Sequence, residues 1–571
     1  MNGGERLARI LQAHGVDFLF TLCGGHISPL LVECKRRGIR VVDVRNEASA
    51  VFAADAVARL TGKPGAAAVT AGPGVTNATT AVMNAKMAQS PLVLLGGATA
   101  TVLKGRGSLQ DIEQLPLMAS ITKKAAAARR VGELEGLLLE ALRLARSGVP
   151  GPTFLECPVD LLYPEATVRE WYAREGGDSP LVSMALKLHL DRQFAAAPST
   201  DSVQPLPVDP MDPRPADLRK ALRRLVRASR PVLVVGSQVL THAAEAAAIA
   251  AAVEALGIPT FLGGTSRGLL GRGHPLQFRH QRRQALREAD LVLVAGFPFD
   301  FRLGYGRHLG RHSTVIAVNR SRRELRRNRR PSLGVNADPG RFLQALAGEA
   351  QPRRDWLSWF SVLRERERAR DTEIRSQAAV PAGGFINPLA LCLKLEEFMA
   401  QESAIVVDGG DFVATASYVV WPRAPLRWLD PGVFGTLGVG GGFALGAGLV
   451  YPDAEIWILY GDGSCAYSLA EFDTFVRHRV PVIALVGTDA SWAQIAREQT
   501  EALGDPVGTE LRRTDYHRVA EGYGGAGLLL EREEDIEEVF SQARRLFREG
   551  RPVLINAQIG TVDFRKGSIS L

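Results

Sequence analysis

Two aspartates stand directly after apolar segments, at positions where carboxylates can hold a metal ion. Asp462 follows the segment EIWILYG, and Asp489 follows the segment VIALVGT. Both segments are apolar almost throughout, as is typical of buried parallel strands. Open α/β sheets bind ligands in the crevice at the carboxyl ends of such strands. Two carboxylates there suit a hard cation such as Mg²⁺, and the glycines beside Asp462 let backbone N–H groups approach a diphosphate.

The composition is that of a folded globular protein. The chain has 571 residues, of which 46% are hydrophobic and 23% charged, with a net charge of +8. These values argue against a disordered chain, a collagen or a coiled coil, and the length predicts three to four domains. Five widely spaced cysteines without a CxxC pair support neither a disulfide framework nor a zinc site.

Apolar runs alternate with helical patterns along the chain, which predicts an α/β fold of three consecutive domains with parallel sheets. The first domain is expected over 1–165. A weaker pattern over 166–213, which ends in several prolines, predicts a linker. The central domain is expected over 214–350 and the third domain over 375–571. The first and third domains share a similar rhythm of strands and helices.

The pair of aspartates resembles the diphosphate-binding motif of thiamine diphosphate enzymes, which begins GDG and ends in an Asn or Asp. The resemblance implies that thiamine diphosphate and Mg²⁺ are the cofactors. It implies that Asp462, Asp489 and the backbone carbonyl of Ser491 are the metal ligands. It also implies that the three domains are, in order, the pyrimidine-binding, central and diphosphate-binding domains of that family.

Other segments of the third domain match places where these enzymes contact the cofactor. The segment DGGDF at 408–412 stands where relatives contact the diphosphate from a neighbouring loop. Leu437 stands where relatives carry a bulky apolar side chain that props the cofactor in a bent conformation. The cofactor-binding residues that the resemblance implies are therefore Gly409, Gly410, Asp411, Leu437, Gly463 and Ser464.

A glutamate in the first domain matches the residue that activates the cofactor in this family. Glu47 stands in VRNEASAVFAADAVAR, after a short strand pattern and before a helix of small residues, and TAGPGVTNATTAV follows at 70–82. The resemblance implies that its carboxylate hydrogen-bonds the aminopyrimidine ring. His26 in CGGHISP and Gln110 in GSLQDIEQ match residues that handle the hydroxyl proton and oxygen of the substrate. Glu47, His26 and Gln110 are thus the expected catalytic residues.

Within the family, the chain resembles the acetolactate-synthase-like branch of 2-hydroxyacyl-CoA lyases, on the segments GGHISPLL, ADAVARL, RWLDPG, EFDTFVRH and TVDFRKGSIS. This resemblance implies a lyase that converts a 2-hydroxyacyl-CoA into an aldehyde and formyl-CoA, or catalyses the reverse acyloin condensation. An acetolactate synthase-like carboligase and a benzaldehyde-lyase-type acyloin lyase stay open as alternatives. Glu498 counts against an acetolactate synthase, because those enzymes tend to carry Trp or Gln there. The presence of both Glu47 and Asp462 argues against a non-catalytic relative.

The expected partner is a small-molecule substrate, in particular a CoA thioester. Arg320, Arg322 and Arg323 follow a strand pattern where a basic residue can favour a phosphate, although a solvated basic helix start explains them as well. No nucleic-acid motif accompanies the basic charge, and neither a targeting signal nor a membrane-length apolar tract is visible in the sequence. We therefore expect no nucleic-acid or membrane partner, a cytoplasmic location, and a homodimer or homotetramer as in relatives.

Overall fold

The computed structural model describes residues 1–175, 180–195, 203–349 and 356–565. These residues fall into two compact units, Met1–Asp209 and Pro210–Leu571, and each unit is described by itself below. The first unit contains one parallel sheet, and the second contains two. Three parallel-sheet α/β domains confirm the predicted fold class.

The sheet of the first unit has six strands in the order β2-β1-β3-β4-β6-β5, and all neighbours are parallel. The strands are β1 (Phe18–Leu22), β2 (Arg40–Asp43), β3 (Gly65–Val69), β4 (Leu92–Ala98), β5 (Ala125–Ala127) and β6 (Thr153–Pro158). The helices are α1 (Gly3–Ala13), α2 (Ser28–Arg36), α3 (Glu47–Thr61), α4 (Pro73–Ala88), α5 (Gln114–Ile121), α6 (Glu133–Arg146), α7 (Val159–Leu162), α8 (Glu165–Glu175) and α9 (Pro180–Gln193). Strands β3, β4 and β6 are buried along their whole length, which explains why their sequences do not alternate.

The segment predicted as a linker, 166–213, contains most of α8 and all of α9. The buried carboxylate of Asp160 holds both helices, because it accepts hydrogen bonds from the Tyr172 hydroxyl (3.0 Å) and the Gln193 side-chain amide (2.6 Å). The sequence pattern is weak here because α9 leaves apolar side chains exposed, among them Leu181 and Met184. The linker residues 176–179 and 196–202 lie outside the described part.

The second unit begins with a five-stranded parallel sheet in the order β11-β10-β9-β7-β8. Its strands are β7 (Pro231–Val235), β8 (Thr260–Leu262), β9 (Leu291–Ala295), β10 (Thr314–Val318) and β11 (Leu333–Val335). Its helices are α10 (Pro215–Leu225), α11 (Ala246–Leu256), α12 (Arg282–Glu288) and α13 (Pro339–Glu349), and the long α14 (Leu357–Ala378) follows.

The third sheet has six parallel strands in the order β13-β12-β14-β15-β17-β16. Its strands are β12 (Ala404–Val407), β13 (Trp428–Leu429), β14 (Ile456–Gly461), β15 (Ile483–Thr488), β16 (Ala526–Leu530) and β17 (Val553–Gln558). Its helices are α15 (Pro388–Phe398), α16 (Asp411–Val419), α17 (Val439–Val450), α18 (Asp462–Cys465), α19 (Glu471–His478), α20 (Ala493–Leu503), α21 (Tyr516–Gly522) and α22 (Ile536–Arg548).

The first and third sheets have the same topology. Counted within its own domain, each sheet has the second strand at one edge, then the first, third, fourth, sixth and fifth. The similar rhythm of strands and helices in the sequence reflects this shared strand order. Among the helices of the described residues, none combines the length and the apolar character needed to cross a membrane.

Candidate active site

Asp462 and Asp489 lie at the same edge of the third sheet. Strands β14 and β15 are parallel neighbours, with Gly461 opposite Gly487, so both aspartates follow the carboxyl ends of adjacent strands. One oxygen of Asp462 accepts the backbone N–H of Gly463 (2.8 Å), and the other accepts the backbone N–H of Ala490 (2.8 Å). The side chain of the first aspartate thus contacts the residue after the second.

Asp462 is buried and Asp489 is half-buried, and their carboxylates repel each other. Burial, and after it the neighbouring charge of Asp462, raises the pKa of the Asp489 carboxyl to about 7. Burial also raises the pKa of Asp462, although its backbone hydrogen bonds oppose that shift. A divalent cation between two such carboxylates would balance both charges, so this donor set fits Mg²⁺.

The remaining ligands of such a cation would come from other oxygens. Among the residues that the structure describes, no three His, Cys, Asp or Glu side chains form a metal-binding group. Mg²⁺ commonly takes one or two carboxylates together with phosphate oxygens and waters, so a pair of aspartates suffices. The backbone N–H of Ser491 donates to Asp489 (3.1 Å), which fixes the turn that carries the predicted carbonyl ligand.

Ala490, between the two last predicted ligands, has a left-handed backbone with φ of 60°. Such a conformation is uncommon for a residue with a Cβ, and it is found where the surroundings hold the chain in place. The hydrogen bond from its N–H to Asp462 supplies that constraint. The turn is therefore held in the conformation that directs Asp489 and Ser491.

The predicted cofactor residues of two loops meet beside this turn. A Cβ added to Gly409 would lie 2.2 Å from the Leu437 side chain, so these two residues are in close contact. Gly410 has φ of 115°, which strongly favours glycine. The Ser464 hydroxyl lies within hydrogen-bond distance of the carbonyls of Gly409 (2.9 Å) and Gly461 (3.0 Å). Ser464 therefore joins the two loops, and its own hydroxyl proton is already used.

Asp411 has a different environment from the other predicted cofactor residues. Its carboxylate pairs with Arg497 of α20 (2.8 Å) and lies 3.8 Å from Arg565. This aspartate thereby connects the start of α16 to α20 and to the C-terminal segment. The last part of the TVDFRKGSIS segment, from 566 onwards, lies outside the described residues.

Sequence reasoning missed two residues that shape this edge. Asp408 is buried, and its carboxylate accepts the backbone N–H groups of Gly438 (2.9 Å) and Gly440 (2.7 Å) at the start of α17. It thus fixes the loop that carries Leu437. Trp492 covers the GDG loop, because a Cβ added to Gly463 would lie 2.4 Å from its ring. Asp408 directly follows strand β12, and that position was a sequence signal that could have identified it. The sequence offers no comparable signal for Trp492.

Glu47 is the first residue of α3 in the first unit. The Asn46 side chain caps this helix by accepting the N–H of Ala48 (2.9 Å). The Glu47 carboxylate is buried and accepts a hydrogen bond from the Asn77 side-chain amide (3.0 Å). A Cβ added to Gly74 would lie 3.6 Å from the other Glu47 oxygen, so α4 approaches it closely.

His26 lies in the loop between β1 and α2. Its Nδ1 is 3.0 Å from the Thr70 hydroxyl, and a Cβ added to Gly97 would lie 2.5 Å from the His26 Cβ. Burial lowers the pKa of His26, so its imidazole is neutral at pH 7. With Nδ1 engaged by Thr70, Nε2 is the nitrogen left to exchange a proton.

The segment Thr70–Gly74 brings the three predicted catalytic residues of the first unit together. Thr70 contacts His26, and Gly74 contacts Glu47. A Cβ added to Gly72 would lie 2.7 Å from the backbone oxygen of Gln110, which itself has a left-handed φ of 63°. The TAGPG sequence is therefore the common contact of residues that are far apart in the chain.

A buried glutamine that sequence reasoning missed holds this segment. The Gln114 side-chain oxygen accepts the N–H of Gly72 (3.0 Å). Its side-chain nitrogen donates to the carbonyl of Gly97 (3.1 Å) and to Glu156 (3.0 Å). Gln114 is buried and holds the segment in place, whereas Gln110 is partly exposed and can be reached by a ligand.

The arginines after β10 are not all open to a phosphate. Arg320 is buried and pairs with Asp338 (2.6 Å). The Arg322 side chain donates to the Asn336 amide oxygen (2.9 Å). The guanidinium of Arg320 is thus used inside the fold, which removes this residue from the predicted phosphate-binding group.

Family models match most of the chain. One described as the N-terminal TPP binding domain of thiamine pyrophosphate enzymes matches residues 1–117, one described as their central domain matches 218–346, and one described as their C-terminal TPP binding domain matches 408–557.

Curated relatives match over the whole length. The chain is 49% identical over 580 residues to a protein named 2-hydroxyacyl-CoA lyase 2 from Danio rerio, covering 100% of this chain and 93% of that one. It is 50% identical to the protein of the same name from Homo sapiens, covering 100% and 92%. It is 35% identical over 564 residues to an acetolactate synthase large subunit from Mycobacterium tuberculosis, covering 97% and 95%.

Proposed function

Because the chain belongs to the thiamine pyrophosphate enzyme family, we propose that it is a carbon–carbon lyase that cleaves a 2-hydroxyacyl-CoA into an aldehyde and formyl-CoA, or joins them in reverse. The observation that carries this proposal is the full-length identity of 50% to the human protein named 2-hydroxyacyl-CoA lyase 2, against 35% to an acetolactate synthase. The geometry of both sheet edges supports it.

Bound thiamine diphosphate supplies the carbanion-stabilising centre that cleavage next to a carbonyl requires. We assign Mg²⁺ to Asp462, Asp489 and the carbonyl of Ser491, on the strength of the two interacting carboxylates and the constrained turn. Gly410 provides the close backbone approach that a diphosphate needs, and Leu437 provides the apolar support beside it.

Glu47 is assigned the activating carboxylate. Its Asn77 partner holds one oxygen in place, and its burial keeps water from competing for the other. Such a carboxylate can hold a proton at a fixed position, which is what promotion of the reactive form of the aminopyrimidine requires. Gln110 is assigned a hydrogen bond to substrate oxygen and cannot itself titrate.

His26 is assigned the proton of the 2-hydroxyl group. In the cleavage direction the bond between C1 and C2 of the 2-hydroxyacyl group breaks, the hydroxyl oxygen becomes the aldehyde oxygen, and its proton leaves. In the tautomer in which Nδ1–H donates to the Thr70 hydroxyl, Nε2 is unprotonated and can accept that proton, because burial lowers the pKa of His26 and favours the uncharged imidazole. A proton is returned at the carbon that becomes the formyl group, so the reaction is balanced without a further reactant.

One assay tests the proposal and separates it from its alternatives. The enzyme, thiamine diphosphate and Mg²⁺ are incubated separately with a 2-hydroxyacyl-CoA, pyruvate or benzoin, and the products are identified by mass. Formyl-CoA and an aldehyde from the first substrate are expected. Acetolactate from pyruvate without thioester cleavage would replace the proposal by an acetolactate synthase-like carboligase, and benzaldehyde from benzoin alone would replace it by an acyloin lyase.

The assembly proposed is a homodimer or homotetramer, as in relatives in which two subunits share each cofactor site. Two inactive variants, Glu47→Gln and Asp462→Ala, should then restore activity when co-expressed, because one hybrid site contains both native residues. A verified heterodimer without activity would contradict a shared site. The cytoplasmic location stays a prediction from the sequence, which cell fractionation tests.

A further inference from the structure

A basic cleft in the second unit has no role in the chemistry described above. It has a volume of about 650 Å³, within the range of small-molecule sites. The chain segment between β8 and the start of α12 forms one wall, and helix α16 forms the other. Arginines dominate this lining, and three of them carry the argument: Arg267, Arg279 and Arg282.

These three arginines make hydrogen bonds to backbone carbonyls and form no ion pair with a carboxylate within the described residues. The bonds run from Arg267 to Ser417 (3.1 Å), from Arg279 to Val419 (3.3 Å) and from Arg282 to Arg302 (2.8 Å). A guanidinium has five N–H donors, so most of the donors of each remain for a ligand. The first two bonds also fix the guanidinium groups against α16.

Their positive charges persist at neutral pH. Burial lowers the pKa of Arg279 and of Arg282 to about 10, which is still well above 7. The carboxylates that act on these charges are engaged by other groups: Glu367 accepts the backbone N–H of Arg279, Asp300 pairs with Arg302, and Asp430 accepts the Trp428 ring N–H. The guanidinium groups of Arg267 and Arg279 also lie over the Trp428 and Trp421 rings, at 4.9 and 4.2 Å. Their partners are thus neutral groups, and because no carboxylate pairs with these charges, the cleft favours an anion.

Other arginines in the cleft show the contrast. Arg370 pairs with Glu373 (2.6 Å), and Arg565 lies 3.8 Å from Asp411. These two arginines of the same lining are therefore engaged by carboxylates. The absence of such a partner at Arg267, Arg279 and Arg282 distinguishes them from structural arginines.

The cleft also offers a flat aromatic surface. The Tyr418 side chain is 40% exposed, and its ring lies parallel to the His280 ring with centroids 6.4 Å apart. Phe564 and Arg565 also lie against this ring, at 5.7 and 5.5 Å, so its exposed part is limited in area. Arginines around a partly exposed aromatic ring suit a ligand that combines phosphates with an aromatic base. A nucleotide has this combination, whereas a small carboxylate does not.

The cleft adjoins the candidate active site through α16. This helix starts at Asp411, directly after the Gly409–Gly410 loop, and Ser417 and Tyr418 of the same helix line the cleft. At 1.5 Å per residue, the cleft-lining turn is about 10 Å along the helix from the loop. Helix α16 thus connects the cleft to the loop that carries predicted cofactor-binding residues.

We propose that this cleft binds the phosphate-bearing nucleotide part of the CoA thioester, with Arg267, Arg279 and Arg282 on the phosphates and Tyr418 on the base. This inference rests on the proposed function for the identity of the ligand. A free adenine nucleotide shares the same chemistry, so the test must separate the two sources. The cleft takes the place of the arginines after β10, of which Arg320 is used inside the fold.

The test measures binding of CoA itself to the holoenzyme by calorimetry. Arg279→Met and Arg282→Met should each weaken CoA binding by tenfold or more, because each removes a charge that contacts a phosphate. Arg227→Met is the matched control, since Arg227 is an exposed arginine outside the cleft lining, and it should bind CoA as the wild type does. Unchanged CoA affinity in both cleft variants would overturn the proposal.

A second variant covers the case in which the first two do not fold. Arg283 also lines the cleft and is exposed, so Arg283→Glu changes the charge without disturbing the interior. It should weaken CoA binding and raise KM for a 2-hydroxyacyl-CoA while kcat is unchanged, the pattern of lost uniform binding. Full CoA affinity in a folded Arg283→Glu protein would count against the cleft.

Titration with ADP separates the two ligand sources. Equal losses of CoA and ADP affinity in the cleft variants are expected if the cleft recognises the nucleotide part of CoA. Loss of ADP affinity with unchanged CoA affinity would assign the cleft to a free nucleotide and overturn the proposal. CoA binding is measured without turnover, so the two proposals can fail separately. If the cleft variants lose CoA binding but the wild-type enzyme does not cleave the thioester, the proposed function is refuted and the cleft assignment stands.

Discussion

The carboxyl edges of the first and third sheets have the same strand order and different chemistry. In the first, each ionisable side chain has a neutral hydrogen-bond partner: Glu47 contacts the Asn77 amide, and His26 contacts the Thr70 hydroxyl. In the third, the buried carboxylate of Asp462 repels the half-buried carboxylate of Asp489, and the pKa of Asp489 is raised to about 7. The first edge thus presents ionisable groups with neutral partners, while the other presents like charges that a cation would balance. The loops, rather than the sheet, decide which chemistry an edge performs.

The largest effect is expected from removing a carboxylate of the third edge. Asp462→Ala should abolish turnover, because it removes a metal ligand and the hydrogen bond that holds Ala490. A chelator applied to the wild-type protein should do the same, and added Mg²⁺ should restore only the wild type. Activity assays with and without the metal check both statements. Turnover by the metal-depleted variant at the wild-type rate would show that the reaction does not require a metal ion bound at Asp462.

A smaller loss is expected at the first edge. His26→Ala should lower kcat about a hundredfold, the usual contribution of a positioned proton carrier, with cofactor binding unchanged. Thr70→Val is the matched probe of position, because it keeps the shape and removes the hydroxyl that holds Nδ1. It should lower kcat less than His26→Ala does. An unaffected kcat in His26→Ala would make this histidine a bystander.

The pH dependence should distinguish the edges. A protonated Asp489 cannot bind Mg²⁺, and burial sets its pKa near 7, so Mg²⁺ affinity should fall by about tenfold per pH unit below 7. The folding stability of the metal-free protein should change in the opposite direction and increase as the pH falls. Since the folded pKa lies above the unfolded value of 3.8, the stability that Asp489 contributes is present at low pH and is lost as pH rises through 7. Metal titrations over about pH 5 to 8 check that Mg²⁺ affinity falls with falling pH, and thermal unfolding of the metal-free protein over the same range checks that its stability rises.

The smallest effect concerns glycines at the two edges. Gly463→Ala should destabilise the protein by about 1–3 kcal/mol, because the new Cβ would meet the Trp492 ring. Gly25→Ala at the first edge meets no atom within 4 Å and should stay within about 0.5 kcal/mol of the wild type. Thermal unfolding of the two metal-free variants makes the comparison. Equal stability of the two would show that Trp492 moves without cost.

The sequence predicts those parts of the site that depend on a strand end. Asp462, Asp489 and Glu47 each follow a strand, and the spacing of apolar residues shows where those strands end. The three-domain α/β fold follows from the same pattern. Site residues that directly follow a strand can therefore be predicted from the sequence alone.

Contacts between distant segments could not be predicted in this way. The pairing of Asp411 with Arg497, the capping of α17 by Asp408 and the contacts of the Thr70–Gly74 segment join residues from different parts of the chain. No local spacing encodes them. The docking of α8 and α9 through Asp160 was hidden for the same reason, since its partners are single polar side chains.

The central claim is that the third edge binds the cofactor and the first edge activates it. The most direct measurement is a calorimetric titration of thiamine diphosphate, with Mg²⁺ present, into Glu47→Gln and into Asp462→Ala. Glu47→Gln keeps the shape and the amide partner of the side chain, so it should bind the cofactor within a few-fold of the wild type, about 1 kcal/mol or less, and show no turnover. Asp462→Ala should show no measurable binding. Equal loss of binding in both variants would contradict this division of roles.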